Sequence, residues 1–207
     1  MPRIIALASP RTSSKTTNAA WLANALHARG RSVKAFDADL SHQLTDWHAA
    51  NAWPFPVFGA ASRQAHKNIP QALAGDDVAV VDVGHIEEHL DTARSVLRVA
   101  DLCLVNLVPT VPDVERLENL PLSGFLDDVN SLRDEDVPVR VLLTRCQPST
   151  RATKETRDHM TDSGYPVLST VIPAVQRYAQ TGAGFPLDPA GSAHDALVTE
   201  LEKAGLL

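Results

Sequence analysis

Apolar and polar positions alternate along the chain in blocks. Short runs rich in β-branched residues, Arg3–Ala8, Val33–Phe36, Val78–Asp82, Leu102–Leu107, Val139–Thr144 and Val167–Ile172, predict strands. The stretch from Thr16 to Arg29 spaces Trp21, Leu22, Ala25 and Leu26 at helical intervals and closes on Gly30. Residues 42–51 read as a second helix, and His194–Leu206, with Leu197, Val198 and Leu201, as a last one packed back on the sheet. Helical patterns separate most of the other runs. Residues 52–61, with Trp53-Pro54-Phe55-Pro56, predict an irregular connection or an edge strand, since proline cannot donate to a central ladder. Continuous apolar strands alternating with helices predict an α/β fold: a mostly parallel, twisted sheet covered by helices on both faces.

At 207 residues the chain suffices for one full hydrophobic core and is short for two, so a single domain over residues 1–207 is expected. No repeat or low-complexity tract marks a boundary. No apolar run approaches the roughly 20 residues needed to span a bilayer, and the start lacks a signal-peptide pattern, so the expected location is the cytoplasm, away from membranes. The two cysteines, Cys103 and Cys146, each sit in an apolar run and read as buried free thiols. A formal net charge of −6 argues against wholesale coating of nucleic acid and leaves room for a local basic patch.

Candidate chemistry concentrates at the first strand-to-helix turn, Ser9-Pro10-Arg11-Thr12-Ser13-Ser14-Lys15-Thr16-Thr17. In open α/β sheets ligands bind beyond the carboxyl ends of the strands, and at this turn backbone N–H groups converge with a helix N-terminus. A lysine here can meet terminal phosphates and a threonine hydroxyl can ligate a magnesium ion. A solvated helix start is the alternative reading of Lys15-Thr16. Asp39 and Asp82 stand at the ends of the second strand and of the Val78 run; as structural residues they would be a helix N-cap and a turn residue.

The chain resembles the ParA/MinD family of deviant P-loop ATPases, and most of all its short plasmid-partition members such as ParF. The resemblance rests on Pro10-Arg11-Thr12-Ser13-Ser14-Lys15-Thr16-Thr17, aligned with the family's Lys-Gly-Gly-x-Gly-Lys-Thr-Thr, and on Asp37-Ala38-Asp39 and Asp46-Trp47. It continues through Asp82 at the Walker B position, Pro109-Thr110, Thr144-Arg145 and Gln176-Arg177 before a glycine-rich turn. It implies a ParA/MinD-like P-loop NTPase fold, with ATP and Mg2+ as cofactors. Arg11, Thr12, Ser13, Ser14, Lys15, Thr16, Thr17 and Asp82 would bind the nucleotide; Thr16, Asp39 and Asp82 would hold magnesium; Lys15 and Asp39 would be catalytic. It further implies a homodimer formed on ATP binding, a ParB-like or other cargo adaptor as partner, and non-specific DNA contact, possible through Arg145, Arg151, Lys154 and Arg157, that would associate the protein with the nucleoid. A solvated helix face is the alternative for those four residues, and Arg177 could line the base or a dimer surface.

The chain departs from the family pattern at named places. The family lysine that reaches a dimer partner's phosphates falls on Pro10, and glycine is absent at Arg11, Thr12 and Ser14. Asp39-Leu40-Ser41-His42 and Asp82-Val83-Gly84-His85 replace the family's Asp-Pro-Gln-Gly and the proline after Walker B. A partition or positioning ATPase is therefore weighed against a ParA-shaped adaptor without turnover, a MinD-like membrane-associated ATPase, and an amide-forming enzyme of the same superfamily. His85-Ile86-Glu87-Glu88-His89 has the spacing of an inverted zinc-peptidase motif, but it starts at a strand end, and a polar start to the next helix is expected instead.

Overall fold

The computed structural model describes residues 2–11, 13–119, 122–184 and 187–207. Six strands form one parallel sheet: β1 (Arg3–Ala8), β2 (Val33–Ala38), β3 (Val57–Gly59), β4 (Val78–Val83), β5 (Leu102–Leu107) and β6 (Val139–Leu143), in the order β3-β2-β4-β1-β5-β6. Side-chain alternation sends each strand's apolar residues to two separate cores. In β1, Ile4, Ala6 and Ala8 enter one core and Ile5 and Leu7 the other.

The first core is closed by α3 (Ala65–Gln71), α4 (Leu90–Leu97), α5 (Val111–Asn119), α6 (Leu122–Asn130) and α7 (Arg151–Asp162). The second is closed by α1 (Lys15–Ala28), α2 (Gln43–Asn51), α8 (Gln176–Ala179) and α9 (Ala193–Lys203). Helix α1 is buried from Asn18 to Leu26, because it lies between the sheet and α9 and has almost no solvent face. Its end is tied down by Arg29, whose Nε donates to Asp195 Oδ1 at 2.8 Å and Nη1 to Glu202 Oε2 at 2.9 Å.

The same alternation aims three polar side chains at the helix α1 side. Asp37 stands two positions after Ala35, Asp82 two after Val80 and Asn106 two after Leu104, and those three apolar residues belong to the second core. Asp37 and Asp82 are register partners across β2 and β4. Asn106 Oδ1 accepts from Asn18 Nδ2 at 2.6 Å, and Asn18 Oδ1 lies 3.0 Å from His194 Nε2. His194 is fully buried; desolvation, with repulsion from Arg177, pulls its pKa down to about 3, so it is neutral and donates through Nε2.

Of the two outcomes expected for residues 52–61, the edge strand is the one found: residues 57–59 form a short strand on the sheet edge, after the two prolines. One expectation changes. The Val167–Ile172 run does not make a seventh strand; it meets β6 and its extension at the isolated bridges Val141–Val167 and Cys146–Pro173 and at one bond from Ile172 N to Leu143 O at 2.9 Å. The N–H groups of Ser169 and Thr170 turn away to Glu200 of α9, at 2.6 and 2.7 Å, which breaks the ladder between Leu168 and Ile172. Among the described residues no helix is long and apolar enough to cross a membrane.

Candidate functional site

The turn between β1 and α1 is held from three sides. Thr144 Oγ1, just past β6, donates to Ser13 O at 3.1 Å, and Ile86 N, past β4, donates to Ser9 O at 3.2 Å. From within, Lys15 Nζ donates to Ser9 Oγ at 3.0 Å and to Arg11 O at 3.2 Å, and Ser9 Oγ donates in turn to Arg11 O. Ser14 takes the left-handed conformation, φ 62° and ψ 29°, at the position where the family pattern has glycine. For a residue with a Cβ this conformation costs about 1–2 kcal/mol. Among the described residues of the loop the left-handed strain falls on Ser14.

No side chain caps α1, so the amide hydrogens of its first turn are left for a ligand or water. The Ser13 hydroxyl is buried and has no partner among the described residues. Lys15 is 5% exposed; burial lowers its pKa, opposed by the negative charges of Asp82, Asp39 and Glu88. Among the described residues its two bonds to the loop use two of three donors, which leaves one ammonium hydrogen for an anion.

Asp82 is fully buried and neither carboxylate oxygen has a hydrogen-bond partner among the described residues. Desolvation pushes its pKa up to about 7; the Thr16 hydroxyl and the Lys15 ammonium oppose this only in part, and Asp37 and Asp39 reinforce it. An unpaired buried carboxylate is destabilising, and a cation beside it removes the penalty. Two orphaned oxygens next to a threonine hydroxyl fit a magnesium ion.

Asp37 and Asp39 divide their roles. Asp37 is fully buried, and its Oδ2 accepts from Thr45 N at 2.9 Å and Thr45 Oγ1 at 3.1 Å. It thereby caps α2, whose own N-cap residue His42 makes no side-chain bond. Burial raises the Asp37 pKa against those hydrogen bonds. Asp39 closes a short turn by accepting from Ser41 N at 2.9 Å through Oδ1. The helix cap predicted as the structural alternative for Asp39 therefore belongs to Asp37.

A cleft of about 490 Å3 gathers Ser13, Ser14, Lys15, Thr16, Thr17 and Asp39, with Leu40, Ser41, Gln43, His85, Glu88 and His89 on its far wall. A second cleft of about 400 Å3 shares Ser14 and Thr17 with it and continues over Asn18, Arg145, residues 172–176 and Tyr178. The two together make one trough across the start of α1.

The remaining predicted residues lie apart. Arg11 points away from the cleft and pairs with Glu87, Nε to Oε2 at 3.2 Å. Thr12 is outside the described residues. Arg145 lines the second cleft, whereas Arg151 pairs with Glu155 at 2.7 Å on exposed α7, and Arg157 donates to Leu168 O at 2.6 Å. The four basic residues thus do not present one free face; Lys154 is exposed. Arg177 lies over the Trp21 and Tyr178 rings, 5.5 and 5.0 Å from their centroids, instead of facing a ligand.

The far wall, His85 to His89, was legible only as a zinc-like spacing. No group of three or more His, Cys, Asp or Glu among the described residues could hold a metal by itself. The useful signal was its place, directly beyond the carboxyl end of β4 and beside the first loop.

No protein-family model matches the chain, and no curated protein matches its sequence. Solved structures do match over nearly its whole length. A protein assigned to plasmid partition from Borrelia burgdorferi B31, solved with AMPPNP, aligns at TM-score 0.72 and 16% identity over 98% of this chain and 100% of that one. MinD from Pyrococcus horikoshii OT3, with Mg-ADP, gives 0.69 and 18% over 99% and 98%. Cobyrinic acid a,c-diamide synthase from Mycobacterium smegmatis, with ADP and magnesium, gives 0.74 and 17% over 99% and 97%. Identities this low speak for the fold alone, and the chain has the fold of the ParA/MinD-type P-loop ATPases.

Proposed function

We propose that this protein is a ParA-like ATPase that positions cargo, plasmid DNA in the first instance, through an ATP-dependent dimer and a ParB-like partner. The observation that carries the nucleotide part is the glycine-free turn. It keeps an uncapped helix N-terminus and a buried lysine with a spare donor on one trough, with a buried acid behind them that has no hydrogen-bond partner among the described residues. Structures of the same fold bound to AMPPNP and to Mg-ADP support the choice of ligand.

In this reading the first-turn amides of α1, Lys15 and the Ser13 hydroxyl hold the phosphates, and Thr16, Asp82 and Asp39 hold magnesium. The second cleft, with Arg145 and residues 173–176, takes the base. Bound Mg-ATP supplies the reacting phosphoryl group and neutralises part of its charge. Asp39 keeps Oδ1 on Ser41 N and turns its other oxygen to the cleft, where it orients water. DNA contact would fall to Lys154 and Arg151 on α7.

A second reading, nucleotide binding without turnover, is favoured by Pro10 and by the Arg11–Glu87 pair, which together leave no basic side chain free to reach a dimer partner from this segment. Binding and phosphate release measured with magnesium and DNA separate the two. Slow hydrolysis reduced about 100-fold in Lys15→Ala supports the ATPase; tight binding with no release supports the adaptor. Failure to bind ATP at millimolar concentration refutes both.

A further inference from the structure

Resting on the nucleotide reading, we propose that His89 is a ligand of the terminal phosphate and makes the site discriminate triphosphate from diphosphate. The trough gives the nucleotide a direction. Its two clefts meet at Ser14 and Thr17, so a base in the Arg145–Tyr178 cleft sends its phosphates across the start of α1. The chain of phosphates then ends against the wall made by Asp39, Ser41, His85, Glu88 and His89.

That end of the cleft is short of positive charge. Lys15 is the one lysine or arginine among the described residues that line the cleft, faced by the carboxylates of Asp39 and Glu88, with Asp82 buried behind the loop. Pro10 carries no charge, and Arg11 is outside the cleft on Glu87. The two histidines are the other nitrogen bases on the wall, and they differ. His85 Nδ1 is engaged by Glu88 Oε2 at 3.5 Å. Neither ring nitrogen of His89 has a hydrogen-bond partner among the described residues, so it can present an N–H to an anion in either tautomer.

The His89 ring is also seated. A Cβ on Gly84 would stand 3.0 Å from His89 Cδ2 and 3.4 Å from Asp39 Cα, so glycine at this position lets the imidazole lie against the strand end beside Asp39. Its turn is fastened to the phosphate loop by Ile86 N on Ser9 O and by Glu87 on Arg11. Two contacts thus join the loop that would grip the phosphate chain to the turn that carries the ring.

The test compares binding of a non-hydrolysable ATP analogue and of ADP, both with magnesium, to the full chain by calorimetry. His89→Ala is expected to weaken the analogue about tenfold, the worth of one hydrogen bond to a charged group, and to leave ADP within about twofold. His89→Gln, which keeps an N–H donor, should recover most of the loss. Unchanged ADP binding also reports that the variant is folded. Equal affinity of His89→Ala and wild type for the analogue, or a parallel loss for both nucleotides, overturns the assignment while leaving the nucleotide site intact. Wild-type protein that binds neither nucleotide overturns the site and the assignment together.

Discussion

Replacing Asp82 with asparagine should make the nucleotide-free protein more stable, and increasingly so as pH rises. The carboxyl group is fully buried, its oxygens are without partners among the described residues, and its pKa stands at about 7 against 3.8 for an unperturbed aspartate. A pKa raised by folding means that the folded state holds the proton more tightly than the unfolded chain. The stability this gives is complete below pH 3.8 and drains away as pH climbs to about 7. A gap of about 3 pH units at 1.36 kcal/mol each amounts to about 4 kcal/mol, of which about 3 kcal/mol falls between pH 5 and pH 8. An asparagine side chain does not titrate, so urea denaturation of Asp82→Asn and wild type at pH 5 and pH 8 reads the difference directly. The advantage of the variant should grow by about 3 kcal/mol over that range, with magnesium and nucleotide absent. Adding Mg-ATP should narrow the gap at pH 8 by stabilising the wild type. A constant gap between pH 5 and pH 8, or a less stable variant at pH 8, would show that Asp82 finds a partner in solution and would refute the account of an unpaired acid waiting for a cation.

Other expectations follow from single contacts. His194, neutral and buried with its pKa near 3, contributes stability that is present above the ordinary histidine value of 6.5 and lost as pH falls toward 3. The wild type should therefore lose stability below about pH 6 more steeply than His194→Gln; parallel acid limbs would contradict this. Gly182→Ala would put a Cβ 2.4 Å from Trp47 Nε1, which requires the indole or the turn to move. We expect a loss of about 1–3 kcal/mol, with a shift in tryptophan fluorescence, and an unchanged denaturation midpoint would mean the turn yields freely. Ser14→Gly should stabilise the fold by up to about 1 kcal/mol, since relief of a left-handed serine outweighs the looser unfolded chain. A loss on denaturation would assign Ser14 a contact beyond strain.

The hydrophobic blocks determined the α/β class and most of the strands, because a strand buried on both faces must be apolar throughout and so reads clearly in one dimension. That Lys15-Thr16 opens the first helix and that Asp39 and Asp82 stand at strand ends was legible as well, and strand ends and the first strand-to-helix turn are where this architecture places ligands. Pairing decided what the letters could not. Val167–Ile172 has a strand's composition, yet Glu200, some 30 residues later, captures two of its amides and ends the ladder. Asp37 and Asp39 look alike two residues apart, and only the packing of α2 makes one a buried cap and leaves the other at the cleft. Arg145 and Arg151 are near in sequence, but one lies past β6 in the trough and the other on exposed α7. A sequence records which residues can donate, accept or carry charge. The tertiary structure settles which of them have already committed that capacity to a neighbour and which, like the side chains of Asp82 and His89, have no hydrogen-bond partner among the described residues.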